Sequence, residues 1–118
     1  MTPDTAEVIR RYNDAFEYHD PGPLAELVAD DCVLENTSPA PDGARFEGRE
    51  AVGVFWQQIA ADTSMNFEIE DVIVMDDRAI IYWRLRYGAA QEESVRGVNL
   101  LHVRDGKIIE ARGYVKSG

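Results

Sequence analysis

Asn99 is the residue whose type and position most demand a chemical explanation. It lies in the run Val95-Arg-Gly-Val-Asn-Leu-Leu-His-Val103, where Val95, Gly97, Asn99, Leu101 and Val103 alternate onto one face. A single uncharged amide thus interrupts an apolar stripe. A buried amide must be hydrogen-bonded, to the protein or to something that the protein holds. Its NH₂ group can donate to a carbonyl or phenol oxygen without any shifted pKa. The other familiar chemistries have no residues to perform them. The single cysteine, Cys32, and the separated histidines, His19 and His102, form no His-x-x-x-His or Cys-x-x-Cys ligand spacing, so neither a metal nor a cofactor is expected. Gly43 to Gly48 lacks the Lys-Ser/Thr of a phosphate loop, and no Gly-x-Ser-x-Gly nucleophile elbow occurs.

The elements that must position Asn99 are legible in the pattern. Residues 92–104 and 107–116 read as strands joined at Asp105-Gly106, a dipeptide suited to the positive φ angles of a tight hairpin. Period-two alternation also predicts strands at 67–75 and 79–87, with turns at Asp76-Asp77 and near Gly88. Ahead of them, Val8, Ile9, Tyr12, Ala15 and Phe16 recur at helical spacing, with Asp4 and Glu7 placed to form a capping box. Asp20-Pro-Gly-Pro23 ends that helix and starts a short one through Leu24, Leu27 and Val28. A strand is expected around Cys32 to Asn36, then a loop over Thr37 to Ala44. A third helix opens at Phe46-Glu-Gly-Arg-Glu-Ala-Val52, with Val52, Phe55, Trp56 and Ile59 on its apolar face. Helices first and a largely antiparallel sheet second make an α+β fold, the sheet curving around the helices to enclose a cavity.

With 118 residues the chain is expected to form a single domain, residues 1–118. Its net charge of 12 − 22 = −10 repels nucleic acid and anionic lipid, so neither is an expected partner. No apolar run approaches the roughly 18 residues of a membrane span. The opening residues carry no basic and apolar leader pattern, and one cysteine fits a reducing compartment; the expected location is cytoplasmic.

The order of elements resembles the nuclear transport factor 2-like superfamily, and within it SnoaL-like proteins and ketosteroid isomerases. The resemblance rests on Arg10-Arg-Tyr12, Leu24-Ala-Glu-Leu-Val-Ala-Asp-Asp31, Phe46-Glu-Gly-Arg-Glu-Ala-Val52 and Arg96-Gly-Val-Asn-Leu-Leu-His-Val-Arg-Asp-Gly-Lys-Ile108. It implies a cone-shaped roll whose sheet wraps three helices. It also implies cofactor-free work on a polyketide- or steroid-like apolar molecule: isomerisation, cyclisation or hydration. Ketosteroid isomerases grip their substrate oxygen with a tyrosine and a protonated aspartic acid, while a second aspartate carries the proton. By that resemblance Tyr12 matches the tyrosine, Asn99 the oxyanion-hole acid and Asn36, in Leu-Glu-Asn, the base. An amide accepts no proton at a useful pH, so Asn36 positions rather than deprotonates.

Around these three, Phe16, Phe55, Trp56, Trp83, Leu101, Ala111 and Gly113 are the expected ligand-contacting wall. Small residues at 111 and 113 leave space beside two tryptophans. Glu35 alternates away from Asn36, Asp14 lies off the Tyr12 face, and His19 and His102 read as surface residues. The outer sheet face would carry Arg84, Arg86, Val98, Leu100, His102 and Arg104. Exposing Val98 and Leu100 is unusual for a monomer, and similar proteins pair through this sheet, so a homodimer is expected. Two other readings remain: a ligand-binding domain without catalysis, and a dimeric scaffold with a filled core.

Overall fold

The computed structural model describes residues 4–116; Met1 to Pro3, on which part of the N-terminal reading rests, and the last two residues lie outside them. The elements run α1 (Thr5–Glu17), α2 (Leu24–Leu27), β1 (Val28–Glu35), β2 (Arg45–Glu47), α3 (Arg49–Ala61), β3 (Asn66–Met75), β4 (Arg78–Tyr87), β5 (Glu93–Arg104) and β6 (Lys107–Val115). The architecture is the expected α+β roll. Six strands form one sheet in the order β2-β1-β6-β5-β4-β3. The meander β3 to β6 is antiparallel, and β1 joins it parallel to β6. The register shifts in β3 after Ile69 and at His102/Val103 each leave one extra residue, as in a bulge, which bends a sheet locally, and a longer irregularity interrupts β1 between Val28 and Val33.

The α1 helix starts where Asp4 Oδ1 accepts from Glu7 N at 2.8 Å. The reciprocal half of the expected capping box does not form, because the Glu7 carboxylate pairs with Arg10 instead. Its apolar face, Val8 to Phe16, is buried against the concave side of the sheet together with Val52 and Trp56 of α3. The turn at Asp105-Gly106 has φ values of 52° and 76°, the left-handed pair a tight hairpin requires.

Four expectations need correction. Val28 belongs to β1 rather than to α2, since extended backbone begins there and carries it into register with Ile108. The segment around Phe46 is a strand, β2, paired antiparallel with β1. Helix α3 begins only at Arg49, after Gly48 turns the chain at φ 94°. His19 is not a free surface residue. Its Nδ1 lies 3.0 Å from Ala60 O and its Nε2 3.0 Å from Asn66 Oδ1, so the ring ties the end of α1 to α3 and β3. His102 does face outward, against Asp77 at 2.8 Å.

Candidate functional site

The helices and the concave face of the sheet enclose a cavity of about 190 Å³. Tyr12, Asn36 and Asn99, drawn from a helix, a strand end and a central strand, all line it. So do Phe16, Phe55, Trp56, Trp83, Ala111 and Gly113. Leu101 does not: it points inward but is 2% exposed within the packed core, in register with Ala79 and Ala111, and never reaches the open space.

The polar centre is a hydrogen bond between two of these residues. Asn99 Nδ2 donates to the Tyr12 hydroxyl oxygen at 3.2 Å. Because that oxygen accepts from Asn99, its own proton is free to donate into the cavity, and a chain of such bonds strengthens each member. Burial pushes the Tyr12 pKa well above that of an ordinary phenol, with the Asn99 hydrogen bond opposing the shift and Cys32 adding to it. Tyr12 is therefore a neutral donor at physiological pH, not a base. Its ring is held by Phe16 and Trp56, at centroid distances of 4.9 and 5.0 Å.

The backbone opposite Asn99 is bare for a reason. Gly113 is its cross-strand partner, and a Cβ there would sit 3.2 Å from Asn99 Oδ1 and 2.9 Å from Thr37 Cγ2. Any side chain at 113 would press on the amide. Asn36 is held just as closely, one residue beyond β1. Its N–H donates to Ala44 O at 2.8 Å, and the loop folds back through Gly43 N to Pro39 O at 2.7 Å. Gly43 has φ 81°, and a Cβ on it would fall 1.9 Å from Asn36 O, so only glycine fits.

Few charged groups lie near this centre. Glu35 and Arg112 border the cavity at strand positions that alternate with Leu34 and Ala111, and they pair with each other at 3.9 Å. Asp14 is bonded to Arg10. The buried Cys32 thiol is pushed up to about 12 by desolvation, with Asp31 and Glu110 adding to the effect, which leaves it protonated and unreactive.

Sequence reasoning missed Asn13. It is 7% exposed and lines the cavity. Helical spacing could have found it: Ile9, Asn13 and Phe16 stand at i, i+4 and i+7, so the amide completes the inward stripe. Phe67 and Ile69 of β3 also line the cavity. Phe46, placed by the unforeseen β2, stacks on Phe55 at 4.4 Å.

A curved sheet closed by helices around a hydrogen-bonding cavity places the chain in the class of small α+β rolls. Within that class the chain belongs to the SnoaL-like domain family, whose model matches residues 9–111. An NTF2-like protein of unknown function from Mesorhizobium loti is 53% identical, with 96% of this chain and 91% of that one covered at a TM-score of 0.90. A provisionally named ketosteroid isomerase from Kribbella flavida matches at 21% identity, covering 99% and 81% of the two chains, with a TM-score of 0.81. A provisionally named polyketide cyclase from Sinorhizobium meliloti matches at 24% identity, 91% and 93% coverage and a TM-score of 0.71. The last two likenesses are of fold alone. No curated protein matches the chain. No helix among the described residues is long and apolar enough to cross a membrane.

Proposed function

We propose that this protein encloses a small apolar molecule and holds one of its oxygens with the Tyr12 hydroxyl, itself oriented by Asn99. The observation that carries the reading is the donor pair on the wall of a 190 Å³ cavity: Asn99 supplies its N–H to Tyr12, and the phenol proton is left for a guest. A preformed donor of this kind stabilises developing negative charge on a carbonyl oxygen, the step shared by cofactor-free isomerisation, cyclisation and hydration. The substrate class is polyketide- or steroid-like. Asn36 fixes the guest's position and moves no proton. The protein works as a cytoplasmic homodimer, a single SnoaL-like domain per chain, joined through the outer sheet face, where Leu100 and Tyr114 are exposed.

Binding without catalysis is the second reading, and Asn36 favours it, because an amide cannot serve as the general base. The scaffold reading requires a filled interior and is not supported by a cavity of this size. One assay separates the first two. Isomerisation of a Δ5-3-ketosteroid should be near background with the natural chain and measurable with Asn36→Asp. Turnover by the natural chain would mean that another base reaches the substrate. Silence from both, with the variant folded, would move the reading to binding alone.

A further inference from the structure

His19 stands between two oxygens that the fold holds in place. Its Nδ1 lies 3.0 Å from Ala60 O and its Nε2 3.0 Å from Asn66 Oδ1. The second oxygen is oriented by a relay that ends on the backbone. Gln91 Nε2 donates to Ser64 O at 3.2 Å and to Gly88 O at 3.1 Å, so its Oε1 is the end that faces Asn66. That oxygen accepts from Asn66 Nδ2 at 2.7 Å, which turns Asn66 Oδ1 to His19. Both ring contacts are then hydrogen bonds only when both ring nitrogens carry protons. A neutral ring has one N–H and leaves its bare nitrogen against an oxygen, whichever tautomer it takes. Reversing the Asn66 amide brings no relief, because it sets two oxygens against each other at Gln91.

This relay borders the cavity. Ile59 precedes Ala60, and Met65 and Phe67 flank Asn66; all three line the open space. Ile59, Met65, Phe67 and Leu85 are half-buried, whereas Tyr12, Phe16 and Trp56 are buried, so this side of the cavity is a rim that meets solvent. Within the α3–β3 turn the bonds are local, the Ser64 and Met65 N–H groups both reaching back to Asp62. His19 and Gln91 join that turn to α1 and to the β4–β5 turn. From α3 the charge that reaches the ring is Asp62, held below the ordinary carboxylate range by Ser64, with His19 adding to the effect. β3 and the β4–β5 turn set the neutral Asn66 and Gln91 on this side, and their neighbouring acids Glu68 and Glu92 are taken by Arg86 and the Ala90 N–H. On its own segment Asp20 is exposed, and the Glu17 carboxyl, pushed up by burial and by Asp14, takes the Ile69 N–H.

We propose that His19 is a proton-operated strap across the cavity's rim: with both ring protons it ties α1 to α3 and β3, and the loss of one frees the rim to open for a guest. Histidine changes charge within the physiological pH range, so ordinary variation in pH works the strap. The closed form is the protonated one; it is present at low pH and given up as pH rises. That the rim opens to a guest rests on the small-molecule reading above, while the strap itself does not.

NMR of the natural chain from about pH 5.5 to about pH 8.5 tests the strap without a guest. At the acid end both His19 ring N–H protons should be visible and slow to exchange. As the ring loses a proton, protection of the Asp62 and Gln91 amides should fall about 10-fold, while that of the Asn36 amide, bonded to Ala44 O beyond β1, holds. The guest probe is 1-indanone, a bicyclic ketone whose oxygen suits the Tyr12 donor; it should then enter and leave about 10-fold faster. His19→Asn, a residue that suits the φ of 53° there, should exchange both amides and guest rapidly at either pH. A ring that is neutral at the acid end, or one that titrates while Asp62 and Gln91 keep their protection, overturns the strap. So does a pH dependence that survives His19→Asn, since Glu17 or His102 would then carry it. If that variant does not fold, the spectra of the natural chain still decide. Exchange of 1-indanone that ignores the ring's charge overturns the role at the rim. If protection follows the ring but 1-indanone binds at neither pH, the strap stands and the small-molecule reading falls.

Discussion

The two faces of the same four-stranded meander follow opposite physical rules. On the concave face, Ala79, Ile81 and Trp83 of β4 and Leu101 and Val103 of β5 are buried, and the polar atoms among them are few and uncharged. On the convex face, Glu70 bridges Arg84 at 3.5 Å and Arg96 at 2.9 Å, and Arg86 pairs with Glu68. Ile80, Tyr82, Val98 and Leu100 lie between these charges, paired in the β4–β5 register. The inner face is specified by shape, where one methyl group matters, and the outer by charge in water, where many arrangements are nearly equal in energy. Function is therefore to be sought where substitution is least tolerated.

Adjacent residues Arg96 and Gly97 test that contrast most sharply. An alanine Cβ at 97 would meet the buried Trp83 ring at 2.4 Å and Tyr114 O at 2.5 Å. Gly97→Ala should cost about 3 kcal/mol in denaturant unfolding, since neither the ring nor the strand backbone can yield cheaply. Arg96→Ala, one residue away on the other face, should move Tm by about 2 °C or less. Similar losses from both would mean that the outer charges are organised as tightly as the core.

The faces should also respond to opposite ends of the pH scale. Below pH 9 the Cys32 thiol keeps its proton whether the chain is folded or not. Above that the unfolded thiol ionises, while the buried one, pushed up to about 12, does not. Stability should then fall as pH rises, by about 2 kcal/mol near pH 11, with Tyr12 adding the same sign from pH 10 upward. On the outer side, Arg96 holds the Glu70 carboxyl below its ordinary value, so that contribution is present at neutral pH and is lost as pH falls below about 4. Urea titrations of the natural chain and Cys32→Ala between pH 9 and 10 isolate the thiol, because the two chains share every other titrating group. Parallel slopes would show that Cys32 is not shielded.

The sequence displayed the meander almost completely because period-two alternation survives in β3 to β6 and Asp105-Gly106 marks its last turn. It showed β1 only around Cys32 and hid its first half and all of β2 for identifiable reasons. Leu24, Leu27 and Val28 continue a helical spacing across the real boundary, and the irregular pairing between Val28 and Val33 breaks the alternation that would have marked the strand. Phe46-Glu-Gly-Arg-Glu reads as helix entry until the φ of Gly48 is known. At the site, Asn99 was visible as an intruder in an apolar stripe, and the family resemblance brought in Tyr12 and Asn36. Asn13 was masked by its polar neighbours Arg11 and Asp14, although the helical wheel turns it inward. Leu101 was misjudged because alternation gives a side chain's direction and not whether space lies in front of it.

The outer face yields the smallest expected effect on folding and the clearest one on assembly. Leu100 is 38% exposed among Ile80, Tyr82 and Val98, an apolar strip that a second copy of the chain would cover. Equilibrium sedimentation of the natural chain at micromolar concentration should give twice the 13.3 kDa chain mass. Leu100→Glu should return the single-chain mass and leave the dilute protein's binding of 1-indanone unchanged, since residue 100 points away from the cavity. If the natural chain sediments as a monomer, the strip is uncovered and the convex face contributes no assembly. If Leu100→Glu separates the copies and binding is lost as well, the two faces are coupled, and the cavity depends on the pairing behind it.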